Sequence, residues 1–528
     1  MSRSTLGGVL GALMAFAAVP ASAQEGGDGA SARINYTTYS DDQLSSAFDA
    51  QVALDQPDWC RVMVPLTRQM ITRGSFSSRL DALEAYSNLM CSAGEKRWSD
   101  AYMWMIALER RSGKPSAFPM GVGVSHLAER YDAAEERLFA YIDADDRMTL
   151  TDGDSKVVWD LAQAYVKAKE RERSLALFRA LIRPERLAKF PAADRDIIGS
   201  ELFQIEVETG NTTAAATNLA YLKSPYAFKS ALGDRRYAKL WPQIEAKAGR
   251  NMVHVIDAQV DRSKADFEAA PDNMALMKDL ANAYLIAGRF DDVVTLVGAH
   301  EPARDAYADM LTEDMGWALN VKVYALDALD RSAEAEMIFD DIAALDLDGR
   351  SRGWLVNFVI NRALRFVDLG QGEKGLAAAS LAKEVAAETG NEFARMLVRR
   401  ATLCALQAEG RTDEMPPLVA EVIEHQAEAP AEAAAALLCA NADDEAARIA
   451  RTALEDPTRA GAMINALQSR EFELFYNDSV TPGMFDRIRK RPDVAPLFDK
   501  HARDIPRDFA PPFTERRSAL RAARDAAE

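Results

Sequence analysis

Met274 to Val297 reads MALMKDLANAYLIAGRFDDVVTLV. Met277, Leu280, Ala281 and Tyr284 recur at intervals of three and four, so on a helix of 3.6 residues per turn they form one apolar stripe. Gly288-Arg289 interrupts the stripe, and Val293 and Val297 resume it four residues apart. The stretch therefore predicts two amphipathic helices joined by a short turn. Val158, Leu161, Ala162 and Tyr165 repeat the first stripe, Ser174 and Phe178 follow as a second helix, and Ala335 and Phe339 mark another. Outward from these windows the same spacing runs from Asp41 onward. Alternating Val/Ile/Thr runs separated by Asn-Gly or Asp-Gly turns, the mark of paired strands, are scarce. An all-α fold is predicted.

The order large residue, Leu, small residue, Tyr on one helix, then small residue and Phe on the next, resembles the tetratricopeptide repeat. That resemblance implies an α-solenoid of stacked helical hairpins, in which the small residue lets two helices approach and the aromatic residues fill the space between hairpins. Breaks at Glu170, Gly210, Gly249, Gly288, Asp330, Gly370 and Gly410 lie 39 to 42 residues apart. The period of about 40 residues exceeds the 34 of a standard tetratricopeptide unit, which predicts long helices, with about ten hairpins between Asp41 and Asp456.

Leu232-Gly-Asp-Arg-Arg-Tyr237, followed by Leu240-Trp241, echoes Ile488-Arg-Lys-Arg-Pro-Asp-Val494, followed by Leu497-Phe498. Each is a basic turn leading into a short apolar helix after a run of hairpins. A terminal repeat must hide the face that an interior repeat gives to its neighbour, so both read as caps. The expected organisation is a signal peptide over 1–23, a flexible leader over 24–40, helical-repeat segments with caps over 41–250 and 251–500, and a charged tail over 501–528.

Arg3, the apolar run Val9–Val19 and the small residues Ala21-Ser22-Ala23 have the three parts of a secretory signal. Cleavage is expected after Ala23, which places the mature chain in a periplasm or outside the cell. The apolar run is shorter than the roughly 20 residues a membrane helix needs, and no membrane span is expected elsewhere. The formal charge of −18 argues against a nucleic-acid partner, whose binding needs Lys and Arg to neutralise phosphates. Four cysteines are expected to pair in an oxidising compartment, Cys60 with Cys91 and Cys404 with Cys439, each pair about one hairpin apart. Their spacing is unlike the close C-x-x-C of zinc or redox sites.

No catalytic constellation emerges, and no cofactor is expected. His126, His254, His300, His425 and His501 are dispersed, and no two are spaced to share a metal on one helix. Gly121-Val-Gly-Val-Ser-His126 lacks the third glycine and the preceding strand of a dinucleotide loop and reads as a connection between helices. Ser380-Leu-Ala-Lys383 has the Ser-x-x-Lys spacing of penicillin-recognising enzymes, but no Lys-Thr-Gly accompanies it. Glu135-Glu136 and Asp340-Asp341 are adjacent and point apart on a helix.

A non-enzymatic periplasmic scaffold that binds a protein or peptide partner in its concave face is the expected function. The alternative is a binder of cell-envelope carbohydrate or peptidoglycan, favoured by the aromatic cluster Trp59, Trp98, Tyr102 and Trp104. In tetratricopeptide domains that clamp a peptide carboxylate, the first helices present Lys, Asn and Arg to the groove. The resemblance carries that role to Lys278 and Asn282, one helical turn apart, and to Asn361 and Arg400 on two further first helices.

Overall fold

The computed structural model describes residues 40, 43–44, 59–73, 85, 88–93, 95–112, 120–144, 158–162, 164–165, 170–190, 192–345, 353–457, 459–472 and 483–512. Among these, helices follow one another without a strand, and the single β-bridge joins Asp234 to Ala502. The chain is all-α. Contacts divide it into two compact units, 2–206 and 207–528. The predicted signal and leader, residues 1–23 and most of 24–40, lie outside the described residues, as does most of the tail.

In the first unit, α1 spans Trp59–Thr72, α2 Trp98–Ser112, α3 Met120–Leu127, α4 Tyr131–Ala144, α5 Arg171–Leu181 and α6 Ala192–Glu208. Consecutive helices α2, α3 and α4 pack in turn. Gly121 to Ser125 is the buried interior of α3 rather than the predicted connection. Side chains smaller than the usual core residues let that helix sit close to its neighbours.

In the second unit, α7 spans Pro225–Gly233, α8 Trp241–Ala248, α9 Val253–Ala269, α10 Met274–Ile286, α11 Phe290–His300, α12 Glu313–Ala328 and α13 Ser332–Ala343. There follow α14 Leu355–Asp368, α15 Gly372–Thr389, α16 Glu392–Ala408, α17 Met415–His425, α18 Pro430–Cys439, α19 Asp443–Glu455, α20 Ala460–Ala466 and α21 Ala495–His501. Their starts are set by local chemistry: Asn273, Thr312 and Asn391 each accept a hydrogen bond from an amide of the first turn, satisfying donors that a helix leaves unpaired.

Their ends repeat one device. Gly288, Asp330, Gly370, Gly410 and Asn441 all have φ between 56° and 71°. The residue after each donates its amide back to the carbonyl five residues before it, at Tyr284, Leu326, Phe366, Leu406 and Leu437, over 2.8–2.9 Å. This left-handed cap reverses the chain into the next helix. Four of those five positions are breaks that the sequence marks. Glu170 (φ −94°) and Gly249 (ψ 169°) turn the chain differently.

Each helix that ends in such a cap packs on the helix after it and, in most cases, on the next capped helix. Thus α10 touches α11 and α12, α14 touches α15 and α16, and α16 touches α17 and α18. Trp317 of α12 meets Phe358 of α14 with ring centroids 5.1 Å apart. Phe290, Phe339, Phe358 and Phe366 are at most 2% exposed, and burying each contributes about 1.5–3 kcal/mol. Close approach depends on small residues: a Cβ on Gly316 would stand 2.7 Å from the Trp354 ring.

Residues 207–250, which the sequence assigns to an N-terminal segment, belong with the C-terminal unit. The physical reason is that the two cap-like segments meet. α7 packs on α20, and the Arg503 amide donates to the Gly233 carbonyl over 2.8 Å. The Arg503 guanidinium lies 3.6 Å above the Trp241 ring, while that of Arg489 lies 3.7 Å above Phe498. Both cap aromatics are thus covered by arginines from the C-terminal end, and the two caps pack on one another.

Candidate functional site

The capped helices α10, α12, α14, α16 and α18 place the predicted groove residues in one row, and the structure ties most of that row together. Lys278 Nζ lies 2.7 Å from Asp314 Oδ1 on α12. Asn361 Nδ2 donates to Asn320 Oδ1 over 3.0 Å. Arg400 Nη1 lies 2.7 Å from Glu432 Oε2 on α18. Three of the four residues therefore bridge neighbouring helices, and their polar groups are engaged before any ligand arrives. The side chain of Asn282, half-buried on α10, makes no hydrogen bond to another described residue.

Two further links in the row had weak signals in the sequence. Arg365 on α14 forms a two-pronged ion pair with Asp327 on α12, through distances of 2.7 and 2.6 Å. Their only hint was charge at positions flanked by apolar residues, Leu326 and Ala328 on one helix, Leu364 and Phe366 on the other. Cys404 on α16 is joined to Cys439 at the end of α18, with Cα atoms 4.8 Å apart, so this predicted disulfide is formed. The Cys60 side chain lies outside the described residues, and no described cysteine is free.

The Asp279 side chain is 61% exposed, yet its carboxyl pKa is raised, first by desolvation and then by Asp314 and Asp266. The Tyr324 phenol is pushed up by burial first, with the charges of Asp368, Asp327 and Tyr226 adding to it, while Asn320 hydrogen-bonds it. Tyr226, on α7, is pushed up to about 12 by burial. Tyr226 and Tyr324 are within electrostatic reach of one another although their helices are far apart in the chain, and both keep their protons at neutral pH.

The remaining sequence candidates lie on other helices. Trp98, Tyr102 and Trp104 pack against Leu89, Ala101, Met105 and Val124, and the Trp59 side chain lies outside the described residues. Ser380 and Lys383 are exposed on the outside of α15. Among the described residues no group of three or more His, Cys, Asp and Glu side chains is arranged to hold a metal, and no helix is long and apolar enough to cross a membrane.

No protein-family model matches this chain, and no curated protein matches it in sequence.

Proposed function

We propose that the chain is an exported, tetratricopeptide-like α-solenoid that acts as a scaffold, without catalysis, and binds a protein or peptide segment along the inner face formed by α10, α12, α14, α16 and α18. The observation that carries this reading is the cross-linked row itself. Its helices are joined by Lys278–Asp314, Asn320–Asn361, Asp327–Arg365, Arg400–Glu432 and a disulfide. A surface held in advance loses little freedom when a partner docks, which favours binding. Because Lys278 and Arg400 are already paired, the predicted groove residue left to a ligand is Asn282, with the exposed carboxylate of Asp279 nearby on the same helix. That set fits the backbone amides and cationic groups of an extended peptide better than a carboxylate clamp.

Export is supported by the signal-like start and by the Cys404–Cys439 bond, which persists in oxidising compartments. The carbohydrate alternative is less favoured, since Trp98, Tyr102 and Trp104 are partly buried against a small core.

Crosslinking in intact cells followed by purification from the periplasm tests the proposal. A mature chain beginning at Gln24 should carry a protein partner, and Asn282→Arg should reduce its capture at least tenfold with the helical spectrum unchanged. A full-length chain held in the cytoplasm refutes export. Recovery of glycan fragments in place of protein overturns the peptide reading.

A further inference from the structure

The connection between α11 and α12 is held firmly at its start and weakly in its middle. At the start, the Glu301 carboxylate accepts from the Tyr307 hydroxyl and from Lys322 of α12. In the middle, Arg304 reaches across to α13 through two long contacts. Its Nη1 donates to the Met337 sulfur over 3.5 Å, and its Nε lies 3.5 Å from Asp341 Oδ2 without forming a hydrogen bond. A guanidinium is always charged and carries five N–H donors, whereas a thioether is a weak acceptor. Arg304 is thus a strong donor directed at a poor partner.

Met337 is also open to attack. It is 43% exposed, while Met277, Met315, Met396 and Met463 in the core are at most 4% exposed. Met103 and Met310 are more exposed still, but of these three surface methionines Met337 is the one whose sulfur a guanidinium reaches among the described residues. We propose that Met337 is an oxidation site whose product is read by Arg304. The oxidant is a hydroperoxide. The thioether sulfur attacks one peroxide oxygen, an S–O bond forms as the O–O bond breaks, and the proton on the transferred oxygen passes to the departing hydroxide. Sulfoxide and water result, the sulfur having given two electrons to the peroxide. Oxidation turns an apolar side chain into a polar one, and the new oxygen accepts a charge-assisted hydrogen bond from Arg304 far better than the sulfur does. The connection 301–312 is thereby drawn onto α13. This response needs no binding partner.

The full chain is treated with hydrogen peroxide until peptide mass spectrometry shows one added oxygen at Met337, and hydrogen exchange of residues 301–312 is compared before and after. Exchange there is expected to slow by about threefold or more, because a segment held by an added bond opens less often. Met337→Leu should lose the slowing, and Arg304→Gln should lose it while Met337 still gains its oxygen. Met310→Leu should keep it. The assignment is overturned if Met337 stays unoxidised when Met103 and Met310 are fully converted, if exchange is unchanged or faster after oxidation, or if Arg304→Gln retains the slowing. Should either variant lose the native helical spectrum, trypsin decides on the unaltered chain. The protease must take the Arg304 side chain to cut after it, so oxidation must slow that cut, and an unchanged rate overturns the proposal as well.

Discussion

The guanidinium of Arg365 grips the carboxylate of Asp327 between α14 and α12, and both side chains are 5% exposed. Ser332 Oγ donates a further hydrogen bond to the same carboxylate over 2.9 Å, and Arg365 also reaches the Ser332 carbonyl. Removing one partner leaves the other charge buried without compensation. Arg365→Ala is expected to cost about 3–5 kcal/mol in urea unfolding. The paired change Arg365→Met with Asp327→Leu should cost much less, since it removes both desolvation penalties together. A loss below about 1 kcal/mol for Arg365→Ala would show that the pair carries no structural weight.

The disulfide between Cys404 and Cys439 closes a loop of 35 residues. In the chain-entropy model such a loop contributes about 3–4 kcal/mol by restricting the unfolded chain. Cys404→Ala with Cys439→Ala should lower stability by that amount. Peptide mapping without reductant should recover the two residues in one linked fragment, and alkylation of both in the native protein would contradict the pairing.

Gly410 has φ 67°, and a Cβ there would meet nothing within 4 Å. Gly410→Ala therefore isolates the backbone cost of the left-handed cap, about 1–2 kcal/mol. Gly316→Ala tests the opposite case, because its backbone is helical while the added carbon stands 2.7 Å from Trp354. Thermal melts should show both losses, and only the Gly316 loss should be relieved by Trp354→Leu.

Acid should weaken the fold through His501. Its pKa is lowered below the ordinary 6.5, chiefly by desolvation, then by Lys500 and Arg236, against the opposing pull of Asp234 and Glu455. The unfolded chain then takes up the proton more readily than the folded one. Its contribution is present above about pH 6.5 and is lost as pH falls through that value toward the folded pKa. Urea midpoints should fall between pH 7.5 and 5.5, and His501→Gln should flatten that part of the profile. An unchanged slope in the variant would assign the loss to other groups.

Much of the helical framework was legible because it is written locally. The apolar stripe Met277, Leu280, Ala281 and Tyr284 needs only a 3.6-residue turn to become one buried face, and those four residues are buried. Gly288, Gly370 and Gly410 announce a left-handed cap because glycine alone adopts it without steric cost. Asp330, marked as a break, and Asn441, which was not, do the same job because Asp and Asn tolerate that conformation.

What a polar side chain faces is not local. Lys278, Asn361 and Arg400 look like groove residues from their positions on first helices, but their partners Asp314, Asn320 and Glu432 lie 32 to 41 residues away. Periodicity says which side of a helix is apolar, not which carboxylate a neighbouring helix will bring beside it. The boundary shifts to 206/207 for the same reason: Arg503 bonds Leu232 across 271 residues, a contact decided when stacked helices bring the chain's ends together. Sequence by itself determined the all-α class and many of the turns, through steric and hydrophobic preferences that act within a few residues. Only the tertiary structure decided that the two caps close on each other and that the row's charges are spent on neighbouring helices, because both depend on distances that packing alone sets.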